Sequence, residues 1–366
     1  MPRCSGAPGR GPPYAGEVRT YYWPAHTAHD PAVLAPPPGS DRTYFSDAAE
    51  RGRVLLDAVR RAGLGPVQEP SDTDVRTDLL MVHHPALLSF LATAHARHLA
   101  GRAGGATGDP IRDVLVPETF AVDVRRPRSG ALLAELGWHC FDTSSPLFAG
   151  THTAARGAAA CAAAAADDLL AGEPAAYALC RPPGHHAMRE RFGGYCYFNS
   201  AAVAARRLSA HGRRVAVLDI DAHHGNGTQD IFWNDPGVFV ASVHMDPAVE
   251  FPFHWGFEDE VGGPGAEGAN LNVPLVPGCD EHRYLIGLDV AVAQVGHFRP
   301  DALVVSLGVD GHRDDPVGGF RLDTSSYRRI GERIADLDLP TALVQEGGYH
   351  LGTLGDSVVG VLRAFT

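Results

Sequence analysis

Val215-Ala-Val-Leu-Asp-Ile-Asp-Ala-His-His224 opens as a short apolar run and closes on two carboxylates and two imidazoles. The apolar residues read as a buried strand. Beyond it, a two-residue spacing on extended backbone turns Asp221 and His223 toward the same side. Other runs share this form: Ala178-Leu-Cys180, Val238-Phe-Val-Ala-Ser-Val243, Ala302-Leu-Val-Val-Ser-Leu307 and Thr341-Ala-Leu-Val344. Helical stretches over Ser200–His211, His282–His297 and Ser325–Asp336 separate several of them. Strands alternating with helices predict an α/β fold with a largely parallel central sheet and helices on both faces. Ligands of such sheets collect beyond the carboxyl ends of the strands. Asp219, Asp221, His223, Asp310 and Glu346-Gly-Gly-Tyr349 all follow strands of this kind.

Two carboxylate oxygens and one imidazole nitrogen, from Asp221, Asp310 and His223, make a three-ligand site that leaves positions open for water and substrate, as a catalytic zinc needs. The same donors accept Fe2+, Co2+ or Mn2+. A lone aspartate at a strand end more often caps the following helix. Here the aspartates stand with Arg181-Pro-Pro-Gly-His-His186 and with a Gly-Gly-Tyr, which weakens that reading. His185 and His186 offer adjacent imidazoles for proton transfer, and Tyr349 a phenol able to donate to a developing oxyanion. Together these are the parts of metal-assisted amide hydrolysis. His29, His83-His84 and His312 show only that the chain is rich in histidine, and receive no role.

The 366 residues are 45% hydrophobic and 20% charged, which fits a globular protein of one large or two smaller domains. A net charge of -12 disfavours a nucleic-acid surface and draws cationic small molecules or basic peptides, within a screening length of about 8 Å. All the positive charge is arginine. No apolar stretch is long enough to span a membrane, and the start lacks the apolar core of a signal peptide. Six scattered cysteines without metal-site spacing suggest free thiols in the cytoplasm. Residues 1–40, with Pro12-Pro13 and Pro36-Pro-Pro38, read as a loosely ordered arm, with order starting near Phe45 and a single catalytic domain over 41–366. A capped helix is expected over 46–62 and another over Pro85–Ala100. The run Thr153–Leu170, nearly all alanine, reads as a buried helix ended by Gly172. Gly101–Gly137 is long for a loop, and so is either functional or an oligomer contact.

The motifs Leu179-Cys-Arg-Pro-Pro-Gly-His-His186, Phe192-Gly-Gly-Tyr-Cys-Tyr-Phe-Asn199, Leu218-Asp-Ile-Asp-Ala-His-His-Gly-Asn-Gly-Thr-Gln-Asp-Ile-Phe232, Val305-Ser-Leu-Gly-Val-Asp310 and Glu346-Gly-Gly-Tyr349 are similar to those of the zinc-dependent deacetylases of the histone deacetylase superfamily. The chain resembles most closely the bacterial acetylpolyamine amidohydrolases, from about Phe45 to the C-terminus. The resemblance implies the arginase-deacetylase fold and deacetylation of N-acetylated primary amines, with acetylpolyamines favoured and acetyl-lysine possible. It implies Asp221, His223 and Asp310 as zinc ligands, His185 and His186 as the proton-transfer pair oriented by Asp219 and Asn226, and Tyr349 as the phenol that polarises the carbonyl. It further implies Gly194, Tyr195 and Phe251 as the lining of a narrow tunnel. Val317 stands where some polyamine-selective relatives carry a glutamate. Asp219, Asp221, His223, Ser242 and Val243 match a structural potassium site, and the 101–137 loop matches one that helps form a homodimer. Ala222 departs from the larger apolar residue usual in deacetylases. Asp-Ala-His also occurs in arginase-type ureohydrolases, whose binuclear manganese site uses a second aspartate where this chain has Gly225. That enzyme class is the alternative, and an inactive binding module a second one.

Overall fold

A computed structural model describes residues 16–34, 46–122 and 130–366. Its strands are β1 (Arg19–Tyr22), β2 (Val67–Gln68), β3 (Ala175–Leu179), β4 (Val215–Asp219), β5 (Val238–Met245), β6 (Asn270–Leu275), β7 (Ala302–Leu307) and β8 (Thr341–Gln345). They form one sheet in the order β2-β1-β3-β8-β7-β4-β5-β6, and every described pair is parallel. Strands β3, β4, β5, β7 and β8 are buried along their whole length, so both faces need cover.

Period-two alternation divides that cover into two cores. Ala176, Ala178, Val215, Val217, Val304 and Val344 pack with the helices Thr151–Ala171 and Ser200–Ala210. Tyr177, Leu179, Leu218, Val305, Leu307 and Leu343 point the other way, toward the helices Glu281–Phe298, Thr324–Ala335 and Leu351–Leu362. The alanine-rich helix lies in the first core as expected, because small side chains let it approach the sheet and its neighbour closely. It ends at Gly172 in the left-handed region.

The sheet order decides where the chemistry lies. Strands β3, β8, β7 and β4 are consecutive neighbours, so the segments leaving their carboxyl ends converge on one edge. Those segments carry His185-His186, Glu346–Tyr349, Asp310 and Asp219–His224.

Three expectations need correction. Order does not begin near Phe45: β1 lies between β2 and β3, and 3-10 turns at Pro24–Ala28 and Pro31–Leu34 follow, with His26 and His29 buried. Arg-Thr-Tyr-Tyr has no apolar run, and its order comes from pairing on both sides. Pro12-Pro13, Pro36-Pro-Pro38, Cys4 and Phe45 lie outside the described residues. The helix expected over 46–62 starts at Glu50, and Ser46 does not cap it, since Asp47 turns inward to bind Arg51. The stretch 101–137 is not only loop; it holds a helix at Pro110–Asp113 and the start of another at Leu132–His139, with Arg97 paired to Glu135 at 2.7 Å. Asp123, Arg125, Arg126 and Arg128 lie outside the described residues.

His83 has a structural role that its sequence context does not reveal. Its ring is buried, accepts the Asn199 N–H at Nε2 (2.9 Å) and donates from Nδ1 to the Met188 carbonyl (2.9 Å). Burial holds this imidazole down at about 4. An unfolded chain protonates it near 6.5, so between these values the unfolded state binds a proton that the native ring refuses, and stability falls as pH falls. His83→Gln should be less stable at neutral pH but lose stability less steeply between pH 6.5 and 4, by about 1.4 kcal/mol per pH unit. Denaturant unfolding at several pH values reads this, and equal slopes would contradict it.

Candidate active site

Asp221 and His223 sit just beyond β4 and Asp310 just beyond β7. Their ligating atoms all lie within 4.8 Å of one another, and all three residues are buried. His223 Nδ1 is 2.9 Å from Asp310 Oδ2 and 3.2 Å from Asp221 Oδ1. Backbone donors occupy the other two oxygens: Gly347 N–H bonds Asp221 Oδ2 and Ala222 N–H bonds Asp310 Oδ1, each at 2.8 Å. The inner oxygens are thereby aimed at the imidazole. A tetrahedral ion with bonds of about 2.1 Å separates its ligands by about 3.4 Å, so the three donors fit a zinc-like cation with little movement.

Charges alone make this cluster costly to bury. Burial opposes a charge on His223, yet the Asp310 and Asp221 carboxylates hold its ring well above the usual imidazole range. Burial and the neighbouring Asp221 push Asp310 up to about 7. Burial also works against charge on Asp221, but the cationic rings of His185 and His223 outweigh it and hold that carboxyl low. A divalent cation in place of the shared proton would satisfy all three.

The paired histidines differ in their partners. His185 Nδ1 lies 2.9 Å from Asp219 Oδ2, whereas His186 Nδ1 lies 2.7 Å from the Asn226 amide oxygen. Burial works against charge on both. The carboxylates of Asp221 and Asp219 outweigh it at His185, which rises to about 10; at His186 burial and the nearby His185 and His223 rings act together, and its affinity for a proton falls well below the usual value. The two rings, 3.9 Å apart between centroids, are thereby set apart, His185 toward the charged form and His186 toward the neutral one. Glu346 Oε2 accepts the N–H groups of Gly184 (2.6 Å) and His185 (3.1 Å), which fixes the backbone under the pair.

A cavity of about 310 Å³ opens onto this cluster, lined by His186, His223, Tyr195, Phe251, Val317 and Tyr349. Every lining residue expected from the sequence is there, Gly194 included. Gly194 has φ +58, and a Cβ on it would sit 2.3 Å from the His186 ring, so only glycine fits. The Phe251 ring stands edge to face with His186 at 4.9 Å. Asp315 Oδ2 accepts the Tyr349 N–H at 2.6 Å and its Oδ1 the Val317 N–H at 3.0 Å, tying both walls together. Ser242 and Val243 lie on β5, where Ser242 pairs in register with Asp219.

Gly225 offers no side chain for a second metal. A Cβ there would lie 2.3 Å from Asp219 Oδ2, so no side chain can extend from 225 to bridge a second ion. Ala222 contributes its N–H to Asp310 and otherwise lies in the second core at 1% exposure.

Nothing in the sequence singles out Arg51, which sits among other arginines of the helix Glu50–Ala62. It is fully buried, donates to Gly348 O (2.6 Å) and Glu346 O (2.7 Å), pairs with Asp47 (2.5 Å), and lies 4.5 Å above the Tyr349 ring. Arg181 adds a second cation, with Nε 3.2 Å from Asp47. Only its place in the Arg-Pro-Pro-Gly motif hints at this. Arg51→Met leaves Asp47 buried with one cation and leaves the Glu346 and Gly348 carbonyls without their donor, so it should cost about 3 kcal/mol or more in chemical denaturation. A loss under about 1 kcal/mol would contradict a structural ion pair here.

Comparison with known proteins agrees with this geometry. The histone deacetylase domain matches residues 46–365. The chain is 44% identical to acetylpolyamine amidohydrolase 1 of Pseudomonas aeruginosa over 319 residues, covering 86% of this chain and 90% of that protein. It is 40% identical to the acetylpolyamine amidohydrolase of Burkholderia pseudomallei, covering 92% and 95%. A crystal structure of acetylpolyamine aminohydrolase from Burkholderia pseudomallei superposes with a TM-score of 0.84 at 38% identity, covering 95% of this chain and 98% of that one.

Proposed function

The chain belongs to the histone deacetylase family, and we propose that it is a zinc enzyme that removes the acetyl group from acetylpolyamines. It is a hydrolytic deacetylase with a metal cofactor. The observation that carries the fuller reading is the enclosure of Asp221, His223 and Asp310 at the base of a cavity that also presents His186 and Tyr349. Asp142 and Glu250 line the same cavity, no arginine does so among the described residues, and the whole chain carries a charge of -12. A polycationic substrate suits that surface, and relatives named for acetylpolyamines support the choice.

Zinc, held by Asp221, His223 and Asp310, would supply Lewis-acid polarisation of the acetyl carbonyl and a lowered proton affinity for water. The Asn226 oxygen can only accept, so the proton of neutral His186 sits on Nδ1 and its Nε2 lone pair is free. His186 then takes a proton from the attacking water and returns it to the departing amine. His185, charged against Asp219, discourages a second positive charge and so favours that return. Tyr349, kept protonated by burial, donates its O–H to the oxygen on which negative charge develops. Tyr195 and Phe251 narrow the channel against branched amides.

The reading extends to a structural potassium ion at Asp219, Asp221, His223, Ser242 and Val243, supported by the pairing of Asp219 with Ser242. It extends to a homodimer through 101–137, supported by the exposure of Ile111, Phe120, Val122 and Leu133. The five described cysteines, all buried and unpaired, support a cytoplasmic location. Melting in potassium-free buffer and light scattering test the first two.

Acetate release from acetylputrescine, acetylspermidine and an acetyl-lysine peptide should show the highest kcat/KM on a polyamine; higher values on the peptide would overturn the substrate choice. Asp310→Ala should lose both zinc and turnover. Tyr349→Phe should keep zinc and lose roughly 10²-fold or more in kcat, and wild-type activity would exclude the phenol's role.

A further inference from the structure

The segment 246–269 joins β5 to β6 with no helix or strand of its own, yet it supplies Glu250, Phe251 and Phe253 to the cavity wall. A stretch of that length and exposure holds its shape only if something fixes its backbone. Phe251 rests on His186 and stacks on Phe141 at 6.3 Å, but Phe253 is 52% exposed. Ring contacts at the tip do not set where the rest of the segment runs.

The anchor lies behind the wall. Glu260 Oε2 accepts the Gly256 N–H (2.8 Å) and the Gln229 side-chain N–H (2.7 Å), with Asn272 Nδ2 at 3.3 Å. Gln229 Oε1 in turn lies within 2.9 Å of both Asn270 and Asn272 Nδ2 and 3.1 Å from His224 Nε2. The two asparagines also reach the segment's own carbonyls, Asn270 at Glu260 O (2.6 Å) and Asn272 at Phe257 O (3.1 Å). His244, held by Ser242 Oγ at 2.8 Å, donates to Gly256 O at 2.9 Å. Gln229, His224, His244, Asn270 and Asn272 are all buried. One hydrogen-bonded path therefore runs from His224, the residue after metal-site His223, through Gln229 and Glu260 to Gly256, five residues from Phe251.

We propose that Gln229 and Glu260 are positioning residues for the substrate channel: their hydrogen bond holds the Phe251 wall at the separation from the metal-binding run that suits a slender linear amide. Neither lines the cavity. The proposal rests on reading that cavity as the substrate channel. Gln229 is buried and can donate only one useful N–H to Glu260, while its oxygen satisfies three donors; losing the pair frees the segment without touching a metal ligand.

Swapping the pair tests this directly. Gln229→Glu keeps the acceptor for Asn270, Asn272 and His224 but replaces the donor with a second carboxylate, so at the alkaline end of the assay range, where the two cannot share a proton, it should push the segment outward. Kinetics on acetylputrescine and on an N-acetylated α-branched amine, with zinc content measured on each sample, read the outcome. In Gln229→Glu we expect KM for acetylputrescine to rise about ten-fold, kcat to stay within about three-fold, and the preference for the linear amide to fall about ten-fold, with zinc retained. Glu260→Gln alone keeps an acceptor for Gly256 and should be milder. The double variant Q229E/E260Q exchanges amide and carboxylate between the two positions, so the donor now comes from position 260; because the one oxygen Oε2 of Glu260 accepts both Gln229 and Gly256 in the wild type, the exchange restores the contact to position 229 but not the Gly256 bond, and it should recover part of the wild-type KM and preference. Wild-type KM and selectivity in Gln229→Glu, or a double variant no better than Gln229→Glu, overturns the proposal. If Gln229→Glu loses zinc or fails to fold, recovery of selectivity by the double variant still decides it. Wild-type protein that releases no acetate from either amide would instead overturn the channel reading itself.

Discussion

Asp221 and Asp310 set two carboxylates against one nitrogen of a buried His223, and the surrounding fold is arranged around the cost of that burial. Isolated, each charge would be heavily penalised in a low-dielectric interior. Backbone N–H groups from Ala222 and Gly347 bind the outer oxygens, and His185, itself held by Asp219, lies with its other nitrogen 3.8 Å from Asp221. What remains is a set of inner lone pairs that only a proton or a cation can satisfy. The parallel sheet makes this possible because β4 and β7 are adjacent, so that Asp221 and Asp310 leave neighbouring strand ends.

Further layers hold that cluster in place. Arg51 braces the Glu346–Tyr349 segment from behind and shares the Asp47 carboxylate with Arg181, so a buried cation stabilises the very loop that offers an N–H to Asp221 and a phenol to the cavity. Glu346 fixes the backbone of the histidine pair. The differing partners of that pair, carboxylate at His185 and amide at His186, bias two chemically identical rings toward opposite protonation states. On the other side the Gln229–Glu260 network fixes the aromatic wall. Each layer is polar, largely buried and rich in hydrogen bonds, which suits a site whose geometry must not drift.

The central part of the fold is legible in the sequence because β3, β4, β5, β7 and β8 are covered on both faces and therefore read as unbroken apolar runs. β1 is not, because its four residues owe their order to neighbours distant in sequence. β6 alternates asparagine with apolar residues and does not stand out as a strand; its asparagines serve the 246–269 segment. At the site, the cluster of Asp221, His223 and Asp310 and the histidine pair are legible since chemistry concentrates them in short motifs after strands. Arg51, Asp47, Gln229 and Glu260 are not, since a buried polar pair and a surface one look alike in sequence until packing brings the partners together. Gly225 speaks in both: its missing side chain argues for one metal, and the 2.3 Å approach to Asp219 supplies the reason.

Titrating zinc into metal-free protein while following acetate release from acetylputrescine tests most directly whether one cation at Asp221, His223 and Asp310 drives hydrolysis of an acetyl amide. Activity should rise in proportion to added zinc and level off at one equivalent per chain. A break at two equivalents, or acetate release at full rate without metal, would contradict it.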